Sequence, residues 1–191
     1  EPMPEVGLDA AAVREWMRAS QTALGNRRAE IDALNVYPVP DGDTGTNMYL
    51  TVEAAAISAM EITDPRPEPG PVAEALARGA LLGARGNSGV ILSQMLRGLA
   101  DVLATTPAPD GAALSAGLTR AADLAYSAVS RPVEGTVLTV ARAAAEAGAQ
   151  VAQAGLANVA KASSKFSSSN SAQPRSLSVG AWSGRIASAR S

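Results

Sequence analysis

The sequence has no cysteine and no histidine, and only 3% of its 191 residues are aromatic. The missing thiols exclude disulfides and thiol catalysis, and the missing imidazoles exclude zinc sites with the usual ligand sets and histidine acid–base catalysis. A formal net charge of −2 with so few aromatic side chains argues against nucleic acid as a partner, because neither a basic footprint nor a stacking platform for bases is present. Any chemistry must therefore use carboxylates, hydroxyls, amides, arginines and bound ions.

Long apolar runs are also missing. No uninterrupted run approaches the length that spans a membrane, and the first five residues, Glu1 to Glu5, lack the basic and apolar regions of a signal peptide. We therefore expect a cytoplasmic protein with no transmembrane segment. A hydrophobic content of 47% over this length suits one compact domain.

Apolar residues recur with helical spacing from Asp9 to about Gly148, in six stripes separated by breaks rich in glycine and proline. No stretch alternates with the two-residue period of a strand, so the pattern predicts an all-α fold within residues 1–161. Asp9 is placed to cap the first helix, which could end near Asn26. The small residues Gly79, Ala80 and Gly83 would let the third helix approach its neighbours closely.

Three of the breaks share an unusual chemistry. The second, fourth and sixth stripes open with Asp41–Asn47, Arg85–Gly89 and Glu134–Thr136, each of which supplies glycine together with hydroxyl or amide donors. In an up-and-down bundle these helices all begin at the same end, and a helix N-terminus favours anions. We therefore predict that three phosphate-binding turns converge at one end. The alternative is that each turn is an ordinary helix cap or a solvated turn.

The first of these turns is acidic. Two like charges about 4 Å apart cost on the order of 4 kcal/mol at an intermediate dielectric, so the pair Asp41 and Asp43 indicates a bound cation, with magnesium the natural candidate. A calcium-binding EF-hand is excluded, because Val52 stands where the loop needs its glutamate. An aspartyl-phosphatase site would need a buried strand that the prolines at 38 and 40 would disrupt, and no P-loop motif occurs.

Three segments, Asn35–Met48, Gly83–Gln94 and Pro132–Val140, resemble the nucleotide-binding domain of bacterial fatty acid kinases. That domain is related to the L subunit of dihydroxyacetone kinases, and the resemblance covers roughly residues 9–148. It implies an up-and-down antiparallel helical barrel, nominally of eight helices, that holds ADP or ATP with two magnesium ions at one end. It also implies transfer of the γ-phosphate to a fatty acid presented by a separate carrier protein, giving an acyl phosphate.

The resemblance assigns roles to individual residues. It makes Asp41 and Asp43 magnesium ligands, with Asn35 nearest to the position of a third ligand. Separately, Arg85 at the start of the fourth helix is a candidate to stabilise transition-state charge, the alternative being an ordinary surface residue. Residues that would contact phosphates, the nucleotide or the metal shell are Thr44, Thr46, Asn47, Asn87, Ser88, Gly89, Gly135 and Thr136. The dihydroxyacetone kinase pattern has histidine where this chain has Thr44, which favours the fatty acid kinase branch. A dihydroxyacetone (glycerone) kinase subunit and a non-catalytic nucleotide-binding remnant are the alternatives.

The last part of the sequence changes character. No aspartate or glutamate follows Glu146, and residues 162–191 contain 11 serines. We expect this segment to be a disordered tail, because its composition does not support a packed core. Nothing in it matches the last helix and loop of the family. These observations predict a barrel that is incomplete at its C-terminal end, through truncation, a frameshift or an alternative gene model. A natural flexible linker is the alternative explanation of the serine-rich segment.

Overall fold

The computed structural model describes residues 8–35, 40–64, 67–133 and 135–153. These ranges contain six α-helices and no strand, so the all-α prediction is confirmed. None of the described helices is long and apolar enough to cross a membrane. The predicted tail, 162–191, lies outside the described residues. The helices are α1 (Ala10–Leu34), α2 (Thr44–Met60), α3 (Pro69–Leu82), α4 (Gly86–Leu103), α5 (Gly111–Ser127) and α6 (Val137–Gln153).

The first helix begins where the sequence predicts and ends later. The carboxylate of Asp9 accepts a hydrogen bond from the backbone N–H of Ala12 at 2.7 Å, which caps α1. The predicted end at Asn26 is wrong, because α1 continues to Leu34. The glycine before Asn26 serves packing and not termination, since a Cβ atom at Gly25 would lie 3.2 Å from the ring of Tyr49 in α2. The residues that follow Asn26 are good helix formers and continue α1.

The six helices form an up-and-down bundle in which each helix packs against the next. In addition, α1 contacts α3 and α2 contacts α4, whereas α6 contacts only α5 among the described helices. The alternating direction places the starts of α2, α4 and α6 at one end of the bundle, together with the end of α1. We call this end the motif end, because it carries the three turns singled out in the sequence.

The core is built mainly from small side chains, so the helices lie close together. Ala55 and Ala80 have no exposed area, and a Cβ atom at Gly79 would lie 2.5 Å from the Cβ of Ser58. A Cβ atom at Gly83 would lie 2.2 Å from that of Ala54. The predicted close approach at Gly79 and Gly83 is thus confirmed, and it fixes α3, and with it the start of α4, directly against α2.

The opposite end of the bundle is held by ordinary helix-end contacts. Asp110 caps α5 by accepting a hydrogen bond from the backbone N–H of Ala113 at 2.9 Å. A guanidinium nitrogen of Arg14, Nη2, donates to the carbonyl of Ile62 at 3.0 Å, just beyond the end of α2. These contacts satisfy backbone groups that a helix terminus otherwise leaves without partners. The hydrogen bonding at the motif end differs from these ordinary helix-end contacts.

Candidate functional site

The acidic turn joins the end of α1 to the start of α2. The side-chain amide of Asn35 donates a hydrogen bond to the carboxylate of Asp41, and Gly42 adopts the left-handed conformation with φ of 66°. Asp43 is the N-cap of α2, yet its carboxylate makes no capping hydrogen bond. Asp43 is also only partly exposed. The turn therefore keeps one carboxylate without a hydrogen-bond partner among the described residues, and a second carboxylate two positions earlier in the sequence has an amide as its partner.

Asp32 anchors the acidic turn, and sequence reasoning missed it. Its carboxylate accepts hydrogen bonds from the backbone N–H of Thr46 at 3.0 Å and from the hydroxyl of Thr46 at 2.8 Å. Burial raises the pKa of Asp32, but the hydrogen bonds from Thr46 and Gly45 and the charge of Arg28 lower it by more, so its pKa lies below the ordinary value of 3.8. Asp32 thus acts as the anion at the N-terminus of α2.

A sequence signal for Asp32 does exist. A carboxylate in the last turn of a helix faces the negative end of the helix dipole, which is locally unfavourable. Such a conflict points to a partner elsewhere in the fold, here the start of α2. The signal depends on the full length of α1, because Asp32 lies outside any helix if α1 ends at Asn26.

The second turn lies directly against the first. Gly86 has a φ of 56°, and a Cβ atom there would lie 2.4 Å from the side-chain amide nitrogen of Asn47. One turn further along, a Cβ atom at Gly89 would lie 2.4 Å from the hydroxyl oxygen of Thr51. Glycine is required at Gly86 both by its backbone conformation and by the approach of Asn47. The structure therefore brings the acidic turn and the start of α4 together.

The start of α4 has free hydrogen-bond donors. Arg85 is its N-cap and makes no side-chain capping bond, and the N–H of Gly89 already donates to the carbonyl of Arg85 at 2.9 Å. The backbone N–H groups of Gly86, Asn87 and Ser88 have no acceptor among the residues that the structure describes. Asn87 is exposed and Ser88 is half-buried. Three free N–H groups at the positive end of a helix suit an anion such as phosphate.

The polar groups of the third turn form hydrogen bonds with one another and with the first residues of α6. The hydroxyl of Thr136 donates to the carbonyl of Val133 at 2.8 Å and accepts from the N–H of Leu138 at 3.3 Å, so it caps α6. The N–H of Gly135 donates to the hydroxyl of Thr139 at 2.8 Å. Since α6 packs only against α5 among the described helices, no helix contact draws this turn toward the start of α2 or α4. A role for Gly135 and Thr136 toward a nucleotide stays a prediction.

The donor set at the motif end consists only of oxygen ligands. The described residues contain no group of three or more acidic or other metal-binding side chains. The oxygen ligands that the acidic turn can offer are the carboxylates of Asp41 and Asp43 and the amide oxygen of Asn35, whose amide nitrogen donates to Asp41. Magnesium often takes only one or two carboxylates from a protein and completes its shell with water and substrate phosphates. The residues present therefore fit a magnesium ion that also binds phosphate. They are too few to enclose a metal ion with protein ligands alone.

An all-α bundle with an acidic turn beside a glycine-rich helix start has the features of a helical nucleotide-binding domain. Comparison with known families agrees: the sequence model of the DAK2 domain matches residues 38–178, and the chain belongs to this family. DAK2 domains are the nucleotide-binding domains of kinases of the dihydroxyacetone kinase L-subunit type. The match also reaches residue 178, so the expectation that family similarity ends before Ala162 is wrong.

Individual relatives are longer than this chain. Protein YloV of Bacillus subtilis is 45% identical over 141 residues, which cover 73% of this chain and 25% of that protein. An uncharacterized protein of Staphylococcus saprophyticus is 42% identical over 146 residues, or 76% of this chain and 26% of that protein. An uncharacterized protein of Staphylococcus haemolyticus is 44% identical over 131 residues. The chain thus spans about a quarter of the length of these relatives.

Proposed function

We propose that this chain binds ATP or ADP together with magnesium at the motif end and acts as the phosphoryl-donor domain of a kinase. The observation that carries the proposal is the meeting of two complementary features. The acidic turn offers the carboxylates of Asp41 and Asp43. The start of α4 offers three N–H groups that have no acceptor among the described residues, and its first residue, Gly86, packs against Asn47, the last residue of the acidic turn. Cation ligands and anion ligands side by side are what a metal–phosphate complex requires.

Individual residues take distinct parts in this proposal. Asp41 and Asp43, with the amide oxygen of Asn35 after rotation of its side chain, would hold magnesium. When bound, the metal neutralises phosphate charge and orients the phosphate oxygens. The N–H groups of Gly86, Asn87 and Ser88 would bind the phosphates. Gly89, which the sequence resemblance also assigns to the phosphate turn, lets α2 approach the start of α4 closely.

The remaining motif residues act around this centre. The hydroxyl of Thr46 is bonded to Asp32, so its part is to fix the turn. Thr44 and Asn47 lie in the first turn of α2, and in this proposal they contact phosphate or its metal shell. Arg85 is exposed at the start of α4 and would stabilise charge that develops during transfer. Gly135 and Thr136 would contact the nucleotide from the start of α6, as the sequence resemblance implies.

For the acceptor we propose the carboxylate of a fatty acid held by a carrier protein. A carboxylate oxygen of the fatty acid forms a bond to the γ-phosphorus of ATP, the bond from that phosphorus to the β–γ bridging oxygen breaks, and ADP leaves with the electron pair. The products are an acyl phosphate and ADP. The sequence resemblance and Thr44, which replaces the histidine of the dihydroxyacetone kinase pattern, support this acceptor.

The experiment that tests the proposal follows phosphate from γ-labelled ATP. The purified chain is incubated with magnesium and labelled ATP, in one reaction with a fatty acid on its carrier protein and in another with dihydroxyacetone. Trapping with hydroxylamine detects acyl phosphate in the first reaction. If label appears only in dihydroxyacetone phosphate, the fatty acid acceptor is wrong and dihydroxyacetone is the acceptor. Nucleotide binding without transfer to either compound would favour a non-catalytic nucleotide-binding module.

A further inference from the structure

Thr51, in the second turn of α2, is a buried hydroxyl that connects the acidic turn to the start of α4. Its side chain has no exposed area. The hydroxyl donates a hydrogen bond to the carbonyl of Asn47 at 2.7 Å and accepts one from the backbone N–H of Arg85 at 3.2 Å. Asn47 ends the acidic turn and Arg85 is the N-cap of α4. A single side chain therefore bonds to the backbone of both turns.

The packing around this hydroxyl leaves little freedom. The first turn of α4 rests on it, because a Cβ atom at Gly89 would lie 2.4 Å from the Thr51 oxygen. The contact between Gly86 and Asn47 lies one turn away on the same pair of helices. Arg85 N–H has no other acceptor among the described residues, so the Thr51 hydroxyl is what orients the backbone at the start of α4. Distance and register between the two turns are set at these contacts.

We propose that Thr51 is a positioning residue that holds the α4 start in register with the acidic turn, so that both act on one magnesium–nucleotide ligand. This inference rests on the proposed function. Being fully buried, Thr51 does not contact the ligand and acts only through the two backbones that it joins. A hydroxyl with a merely local role is available for comparison: Ser93 is 1% exposed and donates only to the carbonyl of Val90 within its own helix at 2.7 Å.

The test compares Thr51→Val, which removes the hydroxyl and keeps the branched shape, with Thr51→Ser, which keeps the hydroxyl. Ser93→Ala is the matched control, because it removes a buried hydroxyl that joins no second element. Two quantities are measured: hydrogen exchange at the Arg85 amide without ligand, and affinity for ATP with magnesium by calorimetry. Thr51→Val should speed exchange at Arg85 and raise Kd about 3- to 10-fold, the scale of one hydrogen bond. Thr51→Ser and Ser93→Ala should leave both quantities near the wild-type values.

Several outcomes would overturn the inference. Wild-type affinity in Thr51→Val, an equal loss of affinity in Ser93→Ala, or no recovery in Thr51→Ser would each do so. If Thr51→Val does not fold, Thr51→Ala adds no methyl group against Gly89 and carries the same expectation. If the wild-type chain fails to bind ATP with magnesium, the proposed function fails, and exchange at Arg85 still decides the positioning role: an unchanged exchange rate in the variant refutes it.

Discussion

Replacing Asp32 with alanine should destabilise the protein more than the loss of an ordinary helix cap. The carboxylate accepts hydrogen bonds from the N–H and the hydroxyl of Thr46, and the N–H of Gly45 also contributes. Hydrogen bonds to a charged group contribute about 1.5–3 kcal/mol each when desolvated, but Asp32 is only half-buried and water replaces part of the loss. We therefore expect the free energy of unfolding at neutral pH to fall by about 2–3 kcal/mol in total.

The assay is urea denaturation followed by circular dichroism, with Asp110→Ala as the matched control. Asp110 accepts one capping bond, from Ala113, at the opposite end of the bundle, so its removal should cost about 1 kcal/mol. Asp32→Ala should also weaken binding of ATP with magnesium, whereas Asp110→Ala should not, because Asp32 fixes the acidic turn and Asp110 caps α5 at the other end. Equal destabilisation by the two substitutions, with nucleotide affinity unchanged in both, would refute the reasoning.

The same pair gives a pH test. The pKa of Asp32 is lowered in the folded protein, so its contribution to stability is fully present above the ordinary value of 3.8 and is lost as pH falls through the lower folded value. The difference in unfolding free energy between wild type and Asp32→Ala should therefore be constant near neutral pH and shrink under acid conditions. A difference that grows with acidity would contradict the assigned direction of the pKa shift.

Three further predictions concern the glycines and hydroxyls of the bundle. Gly86→Ala should cost about 1–2 kcal/mol in backbone strain and push the Asn47 side chain away. Both ATP affinity and melting temperature should therefore fall. Wild-type affinity and melting temperature in this variant would contradict the packing described for Gly86. Ser88→Ala and Thr136→Ala each remove a hydroxyl that we expect to donate to the nucleotide in addition to the backbone N–H groups, so each should weaken ATP binding by about 0.5–1.5 kcal/mol. A loss of affinity in Ser88→Ala alone would exclude the start of α6 from the site. Gly98→Ala should lower the unfolding free energy by about 1–3 kcal/mol without altering ATP affinity relative to stability-matched controls, because a Cβ atom there would lie 2.5 Å from the backbone of α5.

The helical architecture could be predicted because it follows from local patterns. Apolar periodicity defined six helices, and Asp9 correctly indicated the start of α1. The end of α1 could not be placed in the same way. Gly25 carries the usual signal for termination, yet it is used to pack against Tyr49, and a contact between helices is not visible in a local window.

The site was predictable in its parts and less so in its connections. The acidic turn and the glycine-rich start of α4 were identified from residue types, and helix direction in an up-and-down bundle placed them at one end. Asp32 and Thr51 were missed because their functions depend on partners in other helices, 14 and 34 residues away in sequence. The signal for Asp32 depends on knowing where α1 ends. Thr51 carries no local signal, so only the three-dimensional structure reveals its contact with Arg85.

The central claim is that magnesium and nucleotide bind together at the motif end. The most direct test is calorimetric titration of the chain with ATP, once with magnesium and once with a chelator. The variant Asp43→Asn is titrated in the same way, with Asp110→Asn, at the other end of the bundle, as the control. We predict binding with magnesium, a loss of at least about tenfold in affinity with the chelator and in Asp43→Asn, and no loss in Asp110→Asn. Equal ATP affinity with magnesium and with the chelator would contradict the claim.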